Sequence, residues 1–78
     1  MIIKVLGPGC SNCKKVLQAT ETAVKDLNVE AELIYVTDLS EIAKTGLMRT
    51  PGLIINNKIV SYGKVPSIDE IKEFIQKA

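Results

Sequence analysis

The sequence predicts an α/β fold in which a four-stranded mixed sheet is flanked by three helices, in the order β-α-β-α-β-β-α. Short apolar segments alternate with segments of helical periodicity in the first half, and two apolar runs flank an Asn-Asn pair in the second half. Alternation of strand and helix indicates a parallel β-α-β unit, whereas strands joined by a tight turn are antiparallel. A chain of 78 residues has room for one domain, so we expect residues 1–78 to form a single domain.

The first strand and the first helix have the clearest patterns. Residues 1–6 are apolar except for Lys4, which is typical of a central strand buried on both faces. Gly7-Pro8-Gly9 ends this strand. Apolar side chains then recur at steps of three and four, which predicts a helix over about 11–27 with one face in the core.

A second strand and a short helix follow. Residues 30–36 alternate at first and end in β-branched and aromatic side chains, which favours a strand. Asp38 and Glu41 have the spacing of a capping box at a helix start. Gly46 can end this helix in a left-handed conformation, so we expect it to be brief.

The last third of the chain predicts a hairpin and a final helix. Asn56-Asn57 separates strands at 52–55 and 58–62, and asparagine tolerates the positive φ angles of a tight turn. Ser67 and Glu70 form a second capping-box pattern, and an apolar stripe at helical spacing follows them. Of the few aromatic residues, we expect Tyr35 and Phe74 to lie in the core, whereas Tyr62 could lie there or near a functional site.

Composition excludes several classes of function. Ten basic residues against nine acidic ones give a formal charge of +1, so no electrostatic argument favours nucleic acid or an anionic membrane surface as a partner. The longest apolar run, 33–36, is far shorter than the roughly 18 residues of a membrane span. The chain has no histidine, which excludes mechanisms that need imidazole. Because the first residues lack the features of a secretory signal, we expect a cytoplasmic protein.

The two cysteines stand between the first predicted strand and the first predicted helix. Sulfurs three residues apart on a first helical turn can reach disulfide geometry with little backbone movement. Cys10 faces unpaired backbone N–H groups and the positive end of the helix dipole, which favour a thiolate, and Lys14 and Lys15 add positive charge. Cys13 lies on the apolar stripe of the helix, so we expect it to be shielded while Cys10 is exposed.

This asymmetry suits an attacking thiol and a resolving thiol. We therefore interpret Cys10 and Cys13 as the catalytic residues of a thiol–disulfide oxidoreductase whose redox-active disulfide is Cys10–Cys13, with no cofactor. A static disulfide, a thiolate metal carrier for zinc or Cu(I), and a redox-switched binding module are the alternatives. Lys14 and Lys15 could steer acidic partners or form an ordinary solvated helix face.

The whole chain resembles the thioredoxin fold in its shortest form, with the element order of glutaredoxins. It is similar to the small archaeal and bacterial redox-active disulfide proteins, and the matching segments are Leu6-Gly7-Pro8-Gly9-Cys10 and Thr50-Pro51-Gly52-Leu53. The resemblance implies that the Thr50–Pro51 bond is cis and lies beside Cys10, and that the Thr50 backbone pairs with an extended partner segment. It also implies that Gly63 lies near the active site, which gives Thr50, Pro51 and Gly63 as substrate-positioning residues.

Several positions differ from those of longer family members, and these differences bear on which electron donor we expect. Ser11-Asn12 replaces the usual Gly-Pro between the cysteines, and the first strand offers no acid as proton acceptor for Cys13, with Asp26 expected at the surface. Only Gly63 and Ser67 match a glutathione site. We therefore expect the protein to be reduced by an upstream thiol reductase or, less favoured, by a low-molecular-weight thiol. The expected substrates are disulfide-containing proteins, and we expect a monomer.

An apolar rim around Cys10 is a further expectation. Leu47 and Met48 could form this rim and bind partner polypeptides, although core packing would equally explain Leu47.

Overall fold

The computed structural model describes residues 1–47 and 49–78, which form four strands and three helices in the predicted order. The elements are β1 (Ile2–Leu6), α1 (Ser11–Leu27), β2 (Glu32–Val36), α2 (Leu39–Lys44), β3 (Gly52–Ile55), β4 (Lys58–Tyr62) and α3 (Ile68–Lys77). The strand order in the sheet is β2-β1-β3-β4, with β1 and β2 parallel and the other pairs antiparallel. The predicted fold class is therefore confirmed.

β1 occupies the centre of the sheet, as its apolar sequence predicted. Its residues Ile3, Val5 and Leu6 are fully buried, whereas Ile2 at its start is 46% exposed. β2 begins two residues later than predicted, because the parallel pairing starts with Ile2 opposite Glu32 and the residues before this pair have no strand opposite them.

The main core lies between the sheet and the helices α1 and α3. Alternate residues of a strand face opposite sides of the sheet, so the strand residues of this core face these two helices. The buried members of the core are Ile3, Val5, Val16, Ala23, Leu53, Ile55, Ile71 and Ile75. The predicted core residues Tyr35 and Phe74 are partly buried and pack against this cluster.

A smaller cluster lies on the opposite face of the sheet, beneath α2. It consists of Leu6, Ile42 and Ile54, with Leu47 partly buried against it. Because α2 has six residues, it covers only part of this face, and Ile59 of β4 remains 41% exposed.

The two predicted capping boxes differ in outcome. At α3, Ser67 Oγ accepts a bond from the Glu70 N–H at 3.2 Å, and Glu70 Oε1 accepts one from the Ser67 N–H at 3.2 Å, so this box is confirmed. At α2, Asp38 accepts from the Ser40 N–H at 2.8 Å, but the Glu41 carboxylate lies 3.4 Å from Lys44 Nζ instead of reaching back. The box predicted at α2 is therefore wrong, because Glu41 pairs with a lysine one turn later.

Both predicted turns with positive φ are confirmed. Gly46 follows α2 with φ +78°, and Asn56 and Asn57 have φ 50° and 68° between β3 and β4. Asn56 Oδ1 also accepts a bond from the Ile2 N–H at 3.1 Å, which ties the hairpin to the start of β1. Within the described part of the chain, no helix has the length and apolar character needed to cross a membrane.

Candidate active site

The two cysteines lie at the start of the first helix, just after the loop that follows the central strand. The Gly7 N–H, just after β1, donates to the Val36 carbonyl at 2.9 Å, and a short loop then leads to Cys10. Cys10 has extended backbone angles (φ −69°, ψ 165°) and forms the N-cap of α1. Cys10 and Cys13 are joined by a disulfide with a Cα–Cα distance of 5.0 Å.

The environments of the two sulfurs differ as the sequence predicted. Cys13 is 0% exposed, whereas Cys10 is exposed. Cys10 Sγ accepts a hydrogen bond from the Cys13 N–H at 3.1 Å, which places this sulfur at the positive end of the helix dipole. The first turn of α1 contains no acidic residue. A negative charge that forms on Cys10 after reduction would therefore be stabilised.

Gly7 makes the space in which Cys13 is buried. A Cβ on Gly7 would lie 2.9 Å from the Cβ of Cys13 and would overlap its Sγ. The sequence indicates a strand end at Gly7 and a segment that matches the family, but it does not reveal this contact with Cys13. The available signal was its position two residues after Val5, which puts it on the side of the sheet that faces α1.

The Thr50–Pro51 loop lies at the same edge of the sheet as the disulfide. The Thr50–Pro51 bond is cis, as the resemblance implied. Gly52, the next residue, pairs with Leu6 at the end of β1, directly before the glycine that contacts Cys13. Pro51 is buried and Thr50 is exposed. The fold thus brings this loop to the edge that carries the cysteines.

Gly63 completes this edge. It has φ +71°, and its N–H donates to the Pro51 carbonyl at 2.9 Å. A Cβ on Gly63 would lie 3.2 Å from Cδ and 3.3 Å from Cβ of Arg49, so the hydrocarbon stem of Arg49 packs over this glycine. The family resemblance implied this position for Gly63. Arg49 was not predicted, although its signal was a cationic residue next to Thr50-Pro51.

Of the two residues predicted to form an apolar rim around Cys10, the structure describes Leu47. Leu47 packs against the cluster beneath α2 and against Gly52, which agrees with the core reading of this residue. Met48 lies outside the described residues. Tyr62 is 57% exposed and directly precedes Gly63, so its ring is not part of the core.

The remaining charged candidates lie at the surface. Lys14 and Lys15 are exposed on α1. Asp26 lies 3.2 Å from Lys72 of α3, with about half of its side chain exposed (49%), so the expectation of a surface acid is confirmed. Among residues 1–47 and 49–78, no group of three or more Cys, Asp or Glu side chains is placed to hold a metal ion.

Comparison with known proteins places these features in a family. The model of the thioredoxin domain family matches residues 1–76. A thioredoxin of Methanocaldococcus jannaschii is 40% identical over 73 residues, which cover 94% of this chain and 84% of the relative. A thioredoxin of Methanothermobacter thermautotrophicus is 33% identical over 75 residues, covering 96% of this chain and 97% of the relative.

A solved structure agrees with these relatives. Thioredoxin 1 of Thermosipho africanus superposes with a TM-score of 0.67 at 26% identity, covering 99% of this chain and 92% of that one. A mixed sheet with a disulfide at the start of its first helix defines an α/β dithiol protein. The chain belongs to the thioredoxin family. It is a thiol–disulfide oxidoreductase that acts on disulfide-containing substrates.

Proposed function

We propose that residues 1–78 form one domain that reduces disulfides in partner proteins, with Cys10 as the attacking residue and Cys13 as the resolving residue. The observation that carries this assignment is the difference between the two sulfurs. Cys10 is exposed at the N-terminus of α1, where it accepts the Cys13 N–H, while Cys13 is fully buried. A partner disulfide can therefore reach one sulfur and not the other.

In the first step, the Cys10 thiolate attacks one sulfur of the partner disulfide. A bond forms between Cys10 Sγ and that sulfur, the partner S–S bond breaks, and the other partner sulfur leaves as a thiolate. The Cys13 N–H and the helix dipole favour the anionic form of Cys10 before the attack. The absence of an acidic residue from the first turn of α1 keeps a competing negative charge away.

In the second step, Cys13 loses its proton and attacks Cys10 Sγ. The mixed disulfide breaks, the Cys10–Cys13 bond forms, and the second partner sulfur leaves. The two partner thiolates take up the proton from Cys13 and one from solvent, so two electrons and two protons pass to the partner. Cys13 needs no large movement for this step, since the two Cα atoms are 5.0 Å apart in the oxidised form.

Thr50, Pro51 and Gly63 position the partner segment in this proposal. Their support is that the loop and the turn lie at the edge of the sheet that carries Cys10, joined by the bond from the Gly63 N–H to the Pro51 carbonyl. Thr50 is exposed just before β3 begins, so its backbone is available to an extended segment.

Turnover requires a reductant for the oxidised protein. We assign this role to an upstream thiol reductase, with a low-molecular-weight thiol as the less favoured donor. We also propose that the protein works as a monomer in the cytoplasm, without nucleic acid or membrane as partner.

Single serine variants test the two roles. Cys13→Ser should retain the attack and accumulate a mixed disulfide with an oxidised peptide, detected by intact mass, because nothing resolves it. Cys10→Ser should form no such adduct. The opposite pattern would overturn the assignment of roles. If reduced wild-type protein reduced no disulfide and bound one equivalent of Cu(I) tightly, the metal-carrier function would be favoured instead.

A further inference from the structure

Arg49 is held in place by its hydrocarbon stem. Its Cβ and Cδ lie where a side chain on Gly63 would begin, within 3.3 Å and 3.2 Å of that position. Gly63 is bonded in turn to the Pro51 carbonyl at 2.9 Å. Arg49, the Thr50–Pro51 loop and the turn at Gly63 thus form one packed unit at the edge that carries Cys10.

The charged end of Arg49 is not used by the part of the chain that the structure describes. Arg49 is exposed, and none of the ion pairs formed among these residues includes it. A guanidinium presents its N–H donors in a planar fork that matches both oxygens of a carboxylate. A fixed stem with an unused fork is suited to binding a carboxylate that arrives with another molecule.

Charges around this edge favour the same ligand. The acids that follow β2 and β4 are mostly engaged: Asp38 caps α2, Glu41 pairs with Lys44, and Glu70 bonds the Ser67 N–H and lies 4.0 Å from Lys64. Asp69 is the acid here for which the structure gives no such contact. On α1, Lys14 and Lys15 are exposed and enter no ion pair within the described residues. The cations without an ion-pair partner among the described residues, Arg49, Lys14 and Lys15, therefore outnumber the acids here without one, Asp38 and Asp69.

We propose that Arg49 selects substrates in which an aspartate or glutamate side chain lies next to the disulfide to be reduced. The inference rests on the proposed function, because it takes the substrate segment to lie over Thr50, Pro51 and Gly63. The carboxylate meets the Arg49 fork while Cys10 meets the disulfide. Lys14 and Lys15 contribute at longer range, where salt screens them more strongly.

Two matched peptides test this selection. Each carries one disulfide, and they differ only in a Glu or a Gln directly after one cysteine. The value measured is the ratio of kcat/KM for the two peptides with reduced protein at low ionic strength. For wild type we expect the Glu peptide to be favoured about fivefold, which corresponds to about 1 kcal/mol, and the ratio to fall below about twofold at high salt.

Three variants assign the effect to Arg49. Arg49→Gln should bring the ratio below about twofold, and Arg49→Lys should keep part of it, because a lysine retains the charge without the fork. Lys58 of β4 pairs with Ile55, at the end of β3 far from Gly52. Lys58→Gln therefore removes a cation distant from this edge and should keep the wild-type ratio and activity. Thermal unfolding of each variant checks that the fold is intact.

The possible outcomes separate the two proposals. An unchanged fivefold ratio in Arg49→Gln, or an equal loss in Lys58→Gln, would overturn the role of Arg49. Equal rates of wild type on the two peptides would overturn the selection of carboxylates and leave the proposed function standing. Failure of wild type to reduce either peptide would overturn the proposed function itself.

Discussion

The starts of α1 and α3 solve the same structural problem in different ways. Both have unpaired N–H groups and a partial positive charge. At α3 the chain satisfies them itself, with the Ser67 cap, the reciprocal Glu70 and a second acidic residue in the first turn, Asp69. At α1 the cap is the sulfur of Cys10, and no acid lies in the first turn. The terminus of α3 therefore serves stability, whereas the terminus of α1 is left available to the sulfur that carries charge in the proposed function.

Replacing the capping sulfur of α1 by oxygen should give the largest effect, a loss of disulfide-reducing activity. In Cys10→Ser the hydroxyl still caps the helix, because serine is a favoured N-cap, but it does not attack a disulfide. We expect the rate of disulfide reduction to fall at least about a hundredfold, with far-UV circular dichroism like that of the reduced wild type. Residual reduction within about tenfold of wild type would show that the sulfur of Cys10 is not the attacking group.

Filling the space beside Cys13 Sγ should give the second-largest effect, a loss of stability. Gly7→Ala puts a methyl group where Cys13 lies, and overpacking of this kind lowers the free energy of unfolding by about 1–3 kcal/mol. Denaturant unfolding of the oxidised protein measures the loss. A variant as stable as wild type would contradict the tight contact between Gly7 and Cys13.

Removing the cap of α3 tests the other half of the comparison. Ser67→Ala deletes the hydroxyl that accepts the Glu70 N–H, and the free energy of unfolding should fall by about 1 kcal/mol. Because this cap serves stability, the rate constant for alkylation of reduced Cys10 should not change. Thermal melts and iodoacetamide kinetics on the same preparation measure both quantities, and a changed alkylation rate would show that the two helix starts are coupled.

Giving α1 the acid that it lacks should have the smallest effect. Asn12→Asp adds a carboxylate to the first turn, so a thiolate on Cys10 meets a like charge. We expect the pH at which alkylation is half-maximal to rise by about 0.5, and less at high salt. The matched change at α3, Asp69→Asn, should leave that pH where it is. A fall in this pH for Asn12→Asp would contradict the electrostatic account of Cys10.

Sequence reasoning succeeded where the signal is local. α1 was predicted over its full length, Ser11–Leu27, because its cap and apolar stripe lie within one continuous segment. The positive φ angles of Asn56 and Asn57 likewise follow from the turn residues themselves. The exposure of Cys10 follows from its place at the helix start, and the burial of Cys13 follows from its place on the apolar stripe of the helix.

Sequence reasoning failed where distant residues decide. β2 begins at Glu32 because β1 begins opposite it, which the pattern of residues 30–36 does not contain. Gly7 and Arg49 matter through Cys13 and Gly63, contacts that exist only in the folded chain. The cis bond at Thr50–Pro51 came from the family resemblance, since local physics gives cis for only about 5–6% of such bonds.

The burial of Cys13 against Gly7 also determines where a chemical label can be attached to the reduced protein. Because the second sulfur is enclosed in the interior, a thiol-selective reagent from solvent meets a single accessible sulfur on the reduced chain, which has no other cysteines than this pair. A dye, a crosslinker or a resin carrying a thiol-selective group would couple in one orientation, with the edge that carries Cys10 toward the attached group.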